Sequence, residues 1–376
     1  MTRAYLDHAS TSPLRPAVLE AMLPFLREHH ADPGRLHAEG RVTRVAIEEA
    51  REQVAELVGA RPREVVFTSS GTEAVDTAVW GALARRGAGH VVTTAVEHSA
   101  VLDACRRGAD ELTVVGVDRR GRFDAAEAAA AARSDTVLVS VQLANHEVGT
   151  VQPAAELCAA LRDHGALVHV DACAAAGHVP VDFRALDADL LSLTAHKLGG
   201  PKGAAALLVR RGLRLPPMIV GGAQERARRG GLENVPAIVG FGAAAAELGE
   251  TGRLGTEAAA ARALTGRVAA EATAAVEGVE VYGDPDGRVP QLVCLGVAGV
   301  EAEPILLGLD QRGVAVHSGS SCSSEALEPS PVLQAMGVDA DHSLRVSVGW
   351  NSSTADVEAF LAAFPVVVER LRALRP

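Results

Sequence analysis

The stretch "AHKLGGPKG" (195–203) sets Lys197 directly behind a histidine and ahead of a glycine turn, where the apolar run "DLLSLTA" (189–195) ends. A lysine at a strand end is by default a solvated residue, but an amine held in a cleft can condense with an aldehyde. Earlier in the chain "ALVHVDA" (166–172) closes on Asp171. A carboxylate at the C-terminal end of a central strand faces the ligand crevice of an open α/β sheet. In "FTSSGTEAVDTAV" (67–79) an apolar strand runs through Ser-Ser-Gly-Thr into a helix. Such a junction offers unpaired N–H groups and a positive dipole end to an anion, with Thr72 as the expected cap and hydroxyl donor; an ordinary helix cap is the plain alternative. "TTAVEHSAVL" (93–102) places His98 just past a strand, where it can stack on a ring or carry a proton. An imine-forming amine, an acid for a pyridinium nitrogen and a phosphate cradle are the three handles that pyridoxal 5'-phosphate requires.

Two further residues lie downstream. Cys322 sits in "HSGSSCSSEALEPSPVL" (317–333), whose small polar neighbours predict an exposed loop, unlike the packing expected of most lone cysteines. Cys105, Cys158 and Cys294 read as packing residues, and so does Cys173 unless its place beside Asp171 brings it to the cofactor. Arg345, in "SLRVSVG" (343–349), is suited to bidentate capture of an amino-acid carboxylate, a surface arginine being the plain alternative.

These residues need a scaffold that gathers strand ends. "EVVFT" (64–68), "HVVTT" (90–94), "ELTVVGV" (111–117), "TVLVSVQ" (136–142) and "GAAALLVR" (203–210) join the two strands above as short β-rich runs. Helical stretches lie between several of them, including "DAAEAAAAAR" (124–133) behind an Asp124 cap. The alternation predicts an α/β fold with a mostly parallel sheet covered on both faces. "GETGRLGT" (249–256) is a small-residue break, followed by an alanine-rich helix and the strands "QLVCLGV", "GVAVHSG" and "SLRVSVG" of a smaller α+β domain. The predicted division is a large cofactor domain over 14–255 and a small one over 1–13 and 256–376.

Composition narrows the class. A chain of 376 residues that is 48% hydrophobic can bury a large core, yet no apolar run reaches the ~18 residues of a membrane span. Five scattered cysteines and no secretion signal predict a reducing cytoplasm. A net charge of −11 without a basic block argues against direct nucleic-acid binding. The chain has neither a Walker lysine nor the GxGxxG fingerprint, which disfavours nucleotide chemistry.

With those residues in view, the sequence resembles the cysteine desulfurases of the long-loop type, enzymes of the class V aminotransferase fold. The resemblance runs nearly end to end, through "YLDHASTSP" (5–13), "VVFTSSGTE" (65–73), "ANHEVGTVQP" (144–153), "HVDACAAAGHVPVD" (169–182), "AHKLGGPKG" (195–203), "GGAQERARRGG" (221–231) and "SGSSCSSEALEPSPVLQAMG" (318–337). It implies fold type I of the pyridoxal phosphate enzymes and conversion of L-cysteine to L-alanine, with the sulfur carried as a persulfide to an acceptor protein. By position it makes Lys197 the imine lysine, Asp171 the partner of the ring nitrogen and His98 the residue stacked on the ring. It puts Gly71, Thr72, Thr194 and His196 on the phosphate, and Asn145 and His146 beside substrate and cofactor. Arg345 holds the substrate carboxylate, Cys322 takes the sulfur, and a homodimer completes the site.

Three positions depart from the family pattern: His146 replaces an asparagine, Ala174 a glutamine that donates to the ring hydroxyl, and Leu232 a threonine that reaches the partner subunit's phosphate. "ADPGRLH" (31–37) differs as well, at Asp32, Gly34 and Arg35. A pyridoxal phosphate-dependent selenocysteine or C–S lyase, an aminotransferase for another amino acid and a non-catalytic sulfur-relay homologue are the alternatives.

Overall fold

A computed structural model of the chain describes residues 3–87, 89–318 and 329–374. Its strands are β1 (Ala4–Tyr5), β2 (Val65–Thr68), β3 (His90–Thr94), β4 (Glu111–Val115), β5 (Thr136–Gln142) and β6 (Leu167–Asp171). They continue with β7 (Leu190–Thr194), β8 (Ala205–Val209), β9 (Val279–Tyr282), β10 (Leu292–Val297), β11 (Val314–Ala315) and β12 (Ser343–Ser347). Strands β2 to β8 form one sheet in the order β2-β8-β7-β6-β5-β3-β4. Only β8 runs against its neighbours, pairing antiparallel with both β7 and β2. The mostly parallel α/β sheet expected from the sequence is therefore present.

The central strands are buried along their whole length, so they read as unbroken apolar runs and not as alternating ones. Leu191 and Leu193 of β7 enter a core shared with Phe241 of helix Val235–Gly249. Leu190 enters the core on the other face, with Ala74 and Ala78 of helix Gly71–Arg86. Burial of such side chains contributes about 1.5–3 kcal/mol each, which is why the strand ends stay fixed while the loops beyond them carry the chemistry.

One buried ion pair ties a strained turn to this sheet. The Arg51 guanidinium, on helix Ala38–Leu57, grips both oxygens of Glu225 at 2.7 Å, and both side chains are 2% exposed. Glu225 also accepts from the backbone N–H of Phe67 at 2.8 Å. Glu225, Arg226 and Ala227 all adopt left-handed backbone angles, with φ of 48°, 59° and 60°. Non-glycine residues pay for that conformation, and the buried carboxylate contacts hold it.

A second core is formed by Val293, Leu295, Phe360 and Phe364, and Leu6 from the start of the chain belongs to it. Here β12, β10 and β9 make an antiparallel sheet, and β1 pairs in parallel with β11. The "GVAVHSG" run was expected as a longer strand; only Val314–Ala315 pairs regularly, with an isolated bridge from His317 to Arg345. The "GETGRLGT" break is narrower than its composition suggests. Helix Val235–Gly249 ends and helix Arg253–Ala275 begins with only Glu250–Gly252 between them, Gly252 taking the left-handed turn at φ 80°.

Candidate active site

The chemistry-bearing residues meet at the C-terminal ends of the parallel strands, in a cleft of roughly 260 Å³. Lys197 follows β7, Asp171 ends β6, His146 follows β5, His98 follows β3, and Ser70 and Gly71 follow β2. Arg345 arrives on β12, from the three-stranded antiparallel sheet. The parallel strands make this convergence automatic, because β2, β3, β5, β6 and β7 all enter the crevice pointing the same way.

The anion end is built on helix Gly71–Arg86. Its cap is Ser70, whose Oγ accepts from the N–H of Glu73 at 3.1 Å, so the expected Thr72 cap is corrected by two residues. The physical reason is that a cap must precede the first helical residue in an extended conformation, and Ser70 has φ −161° and ψ 162°. Thr72 is already inside the helix and lines the cleft. A Cβ on Gly71 would meet Cys173 Sγ at 3.0 Å, so a glycine keeps this corner open. Thr194 Oγ1 and His196 Nδ1 are buried and have no hydrogen-bond partner among the described residues. Buried polar atoms without partners are costly, and these two stand beside a helix N-terminus in the same cleft. Burial, then the nearby Lys197 and Lys202, lowers the His196 pKa to about 4, which keeps the ring neutral. This donor set fits a phosphate.

At the other end, Asp171 Oδ1 accepts from the backbone N–H of Cys173 at 3.0 Å and the carboxyl is 8% exposed. The Cys173 thiol lies in the cleft wall, and burial followed by Asp171 raises its pKa well above the usual thiol range. It is therefore a poor nucleophile. Cys105, Cys158 and Cys294 are buried on helices or strands. Cys322 lies outside the described residues.

His98 caps helix Ser99–Gly108: its Nδ1 accepts from the N–H of Ala100 at 3.0 Å, so the proton of the neutral ring sits on Nε2. Its ring meets that of His146 edge to face, with centroids 5.0 Å apart at 64°. Asn145 is not brought to the cleft. Its Oδ1 accepts from the N–H groups of Glu147 and Val148, both at 2.8 Å, and its Nδ2 donates to the Val96 carbonyl. The amide is spent on the turn that presents His146.

Arg345 is 1% exposed, and one guanidinium nitrogen donates to the His146 carbonyl at 2.8 Å. The other reaches Asp7 Oδ1 at 3.0 Å and Ser10 Oγ at 2.7 Å. Sequence reasoning missed Asp7 and Ser10 because 338 positions separate Asp7 from the arginine it touches. It also missed Glu97, adjacent to His98. Burial raises that carboxyl to about 8, although Thr94 Oγ donates to it at 2.5 Å.

A seven-stranded, mostly parallel sheet with an amine, a buried acid and a set of polar donors fit for an anion at its strand ends defines a pyridoxal phosphate-dependent enzyme of fold type I. Residues 4–360 match the family model described as aminotransferase class-V. A cysteine desulfurase IscS of Dictyoglomus turgidum is 41% identical over 381 residues, covering 99% of this chain and 96% of the relative. A cysteine desulfurase of Cereibacter sphaeroides is 42% identical over 388 residues, covering 100% and 98%. Among solved structures, a NifS-like protein superposes with a TM-score of 0.91 at 30% identity, covering 99% of this chain and all of that one. A structure described as SspA in complex with cysteine gives a TM-score of 0.80 at 29% identity, covering 93% and 99%. The chain belongs to the class-V aminotransferase family.

Proposed function

We infer that this protein is a pyridoxal phosphate-dependent L-cysteine desulfurase that releases L-alanine and loads sulfur on Cys322 for an acceptor protein, in Fe–S assembly, tRNA thiolation or a thio-metabolite pathway. The observation that carries the reading is one cleft holding Lys197, Asp171, the anion cradle and Arg345, in a chain whose end-to-end relatives bear that name.

Lys197 would carry the cofactor, Asp171 its ring nitrogen, His98 its ring face, and Gly71, Thr72, Thr194 and His196 its phosphate. Bound there, pyridoxal phosphate supplies a sink for the electron pair released when the substrate Cα–H bond breaks. Arg345 holds the substrate carboxylate, while Asp7 and Ser10 fix the guanidinium in place. Lys197 Nζ would accept the α-proton. His98, its Nδ1 committed to the Ala100 N–H, donates from Nε2–H to the substrate sulfur and so helps the thiol lose its proton. The Cys322 thiolate then attacks that sulfur: an S–S bond forms, the Cβ–S bond breaks with its electron pair left on carbon, Cβ is protonated to the methyl group, and Lys197 Nζ returns the α-proton to complete alanine. Cysteine plus a thiol gives alanine plus a persulfide, with no outside oxidant.

A homodimer accords with the exposure of Leu36, Val220 and Leu232, at 90%, 77% and 65%. Among the described residues no helix is long and apolar enough to cross a membrane, and the cytoplasm is the proposed location. Ala174 and His146 in the cleft wall give a C–S lyase or an aminotransferase a specific footing, because the family pattern has amide side chains there.

Purified protein with pyridoxal phosphate should show the absorption band of the lysine-bound cofactor, lost in Lys197→Ala. With L-cysteine it should yield alanine and a persulfide on the Cys322 peptide, and Cys322→Ala should keep the band and lose the persulfide. Pyruvate and free sulfide without alanine would assign the lyase instead.

A further inference from the structure

Resting on that reading, we propose that Glu147, braced by Ser330, is a positioning residue that orients the His146 ring and holds a proton on it at the cleft wall. Neighbouring residues ordinarily point apart, but the Asn145 turn curls the backbone so that His146 Nε2 lies 3.5 Å from Glu147 Oε1. The other carboxyl oxygen accepts from Ser330 Oγ at 2.5 Å. Ser330 Oγ itself accepts from the Leu333 N–H at 3.2 Å, capping helix Pro331–Ala335, so its single proton is committed to Glu147. His146, Glu147 and Ser330 are 6%, 2% and 0% exposed. A buried acid persists where it is paired and hydrogen-bonded, and this one has both partners. The chain Ser330–Glu147–His146 ends against the His98 ring in the cleft.

The groups that face His146 act in opposite directions. Lys197 beyond β7 and Arg345 from β12 oppose a charged ring, while Asp171 at the end of β6 and Glu147 favour one. His98, the edge-to-face neighbour, adds to the opposition only when it is itself protonated. Glu97, before His98, is held up to about 8 by burial and contributes little negative charge at neutral pH. Among the described residues Glu147 is the acid within ion-pair distance of the imidazole, and its charge favours a proton on His146 at the cleft wall.

The test follows His146 by ring-nitrogen NMR in protein stripped of cofactor, the signal being assigned by its loss in His146→Asn. Removing a charge at this separation should lower the His146 midpoint in Glu147→Gln by roughly one pH unit or more. Glu147→Asp, which keeps the charge on a shorter arm, should fall between the Gln variant and the parent, and it decides alone if the Gln variant does not fold. In cofactor-loaded enzyme the acid limb of kcat should move the same way, with KM changed less. A His146 midpoint unaltered in both variants would overturn the proposal, even with desulfuration intact. Failure of the parent to form alanine would instead remove the functional reading, and the stripped-protein titration would still decide the brace.

Discussion

Thr194→Val separates a cofactor-binding hydroxyl from a structural one. Valine has nearly the same shape, and Thr194 is 3% exposed at the end of β7, its hydroxyl having no partner among the described residues. In stripped protein the substitution therefore breaks no hydrogen bond among the described residues, and stability should change by no more than about 1 kcal/mol, toward the variant. In loaded protein it removes one hydrogen bond to a charged phosphate, about 1.5–3 kcal/mol. That corresponds to roughly 10- to 150-fold weaker binding. Titrating stripped parent and variant with pyridoxal phosphate, followed by absorption, reads the affinity, and urea unfolding of the stripped forms reads the stability. Pyridoxal without its phosphate supplies the control, since its affinity should be the same for both proteins. A variant that binds the phosphorylated cofactor as tightly as the parent, or loses pyridoxal affinity equally, would refute the cradle.

Glu97 should make stability depend on pH. Its folded pKa of about 8 lies above the ordinary 4.5, so its favourable contribution is complete below 4.5 and is lost as pH rises through about 8. Glu97→Gln should remove that slope and gain on the parent as pH rises, and a urea midpoint difference that stays flat across this range would count against it. Arg51→Met leaves Glu225 buried and uncompensated, costing about 3–5 kcal/mol by urea unfolding; a loss below 1 kcal/mol would mean the turn at 225–227 is held by something else. Ser70→Ala should cost about 1 kcal/mol as a lost helix cap, whereas Thr72→Ala, inside the helix, should cost less stability; equal losses would undo the corrected cap.

The large sheet was legible because its strands are buried on both faces and so appear as uninterrupted apolar runs; "TVLVSVQ" matches β5 residue for residue. Lys197, Asp171 and His98 were legible for a related reason, since strand ends in a parallel sheet share a rim. Less could be read where pairing is remote. The two-residue β1 has no periodicity to detect, and its partner β11 lies near the opposite end of the chain. Arg51 and Glu225 are 174 positions apart, and nothing local marks either as one half of a pair. The Ser70 cap was missed because Thr68, Ser69, Ser70 and Thr72 all carry hydroxyls within one turn, and only backbone angles choose between them. Asn145 and His146 looked alike in sequence, as adjacent polar residues after a strand. The turn hydrogen bonds send one amide inward and leave the imidazole at the wall.

The parallel pairing of β1 with β11 also constrains how the protein is made. Residues Ala4–Ser10 find their partners only after Val314, Arg345 and Ser347, synthesised much later, have emerged. The large sheet is complete by Val209 and can assemble while translation continues. The guanidinium that would receive the amino-acid carboxylate is seated only when Asp7 and Ser10 meet Arg345, so a product stalled before Arg345 would have a formed cradle and no anchor for its substrate.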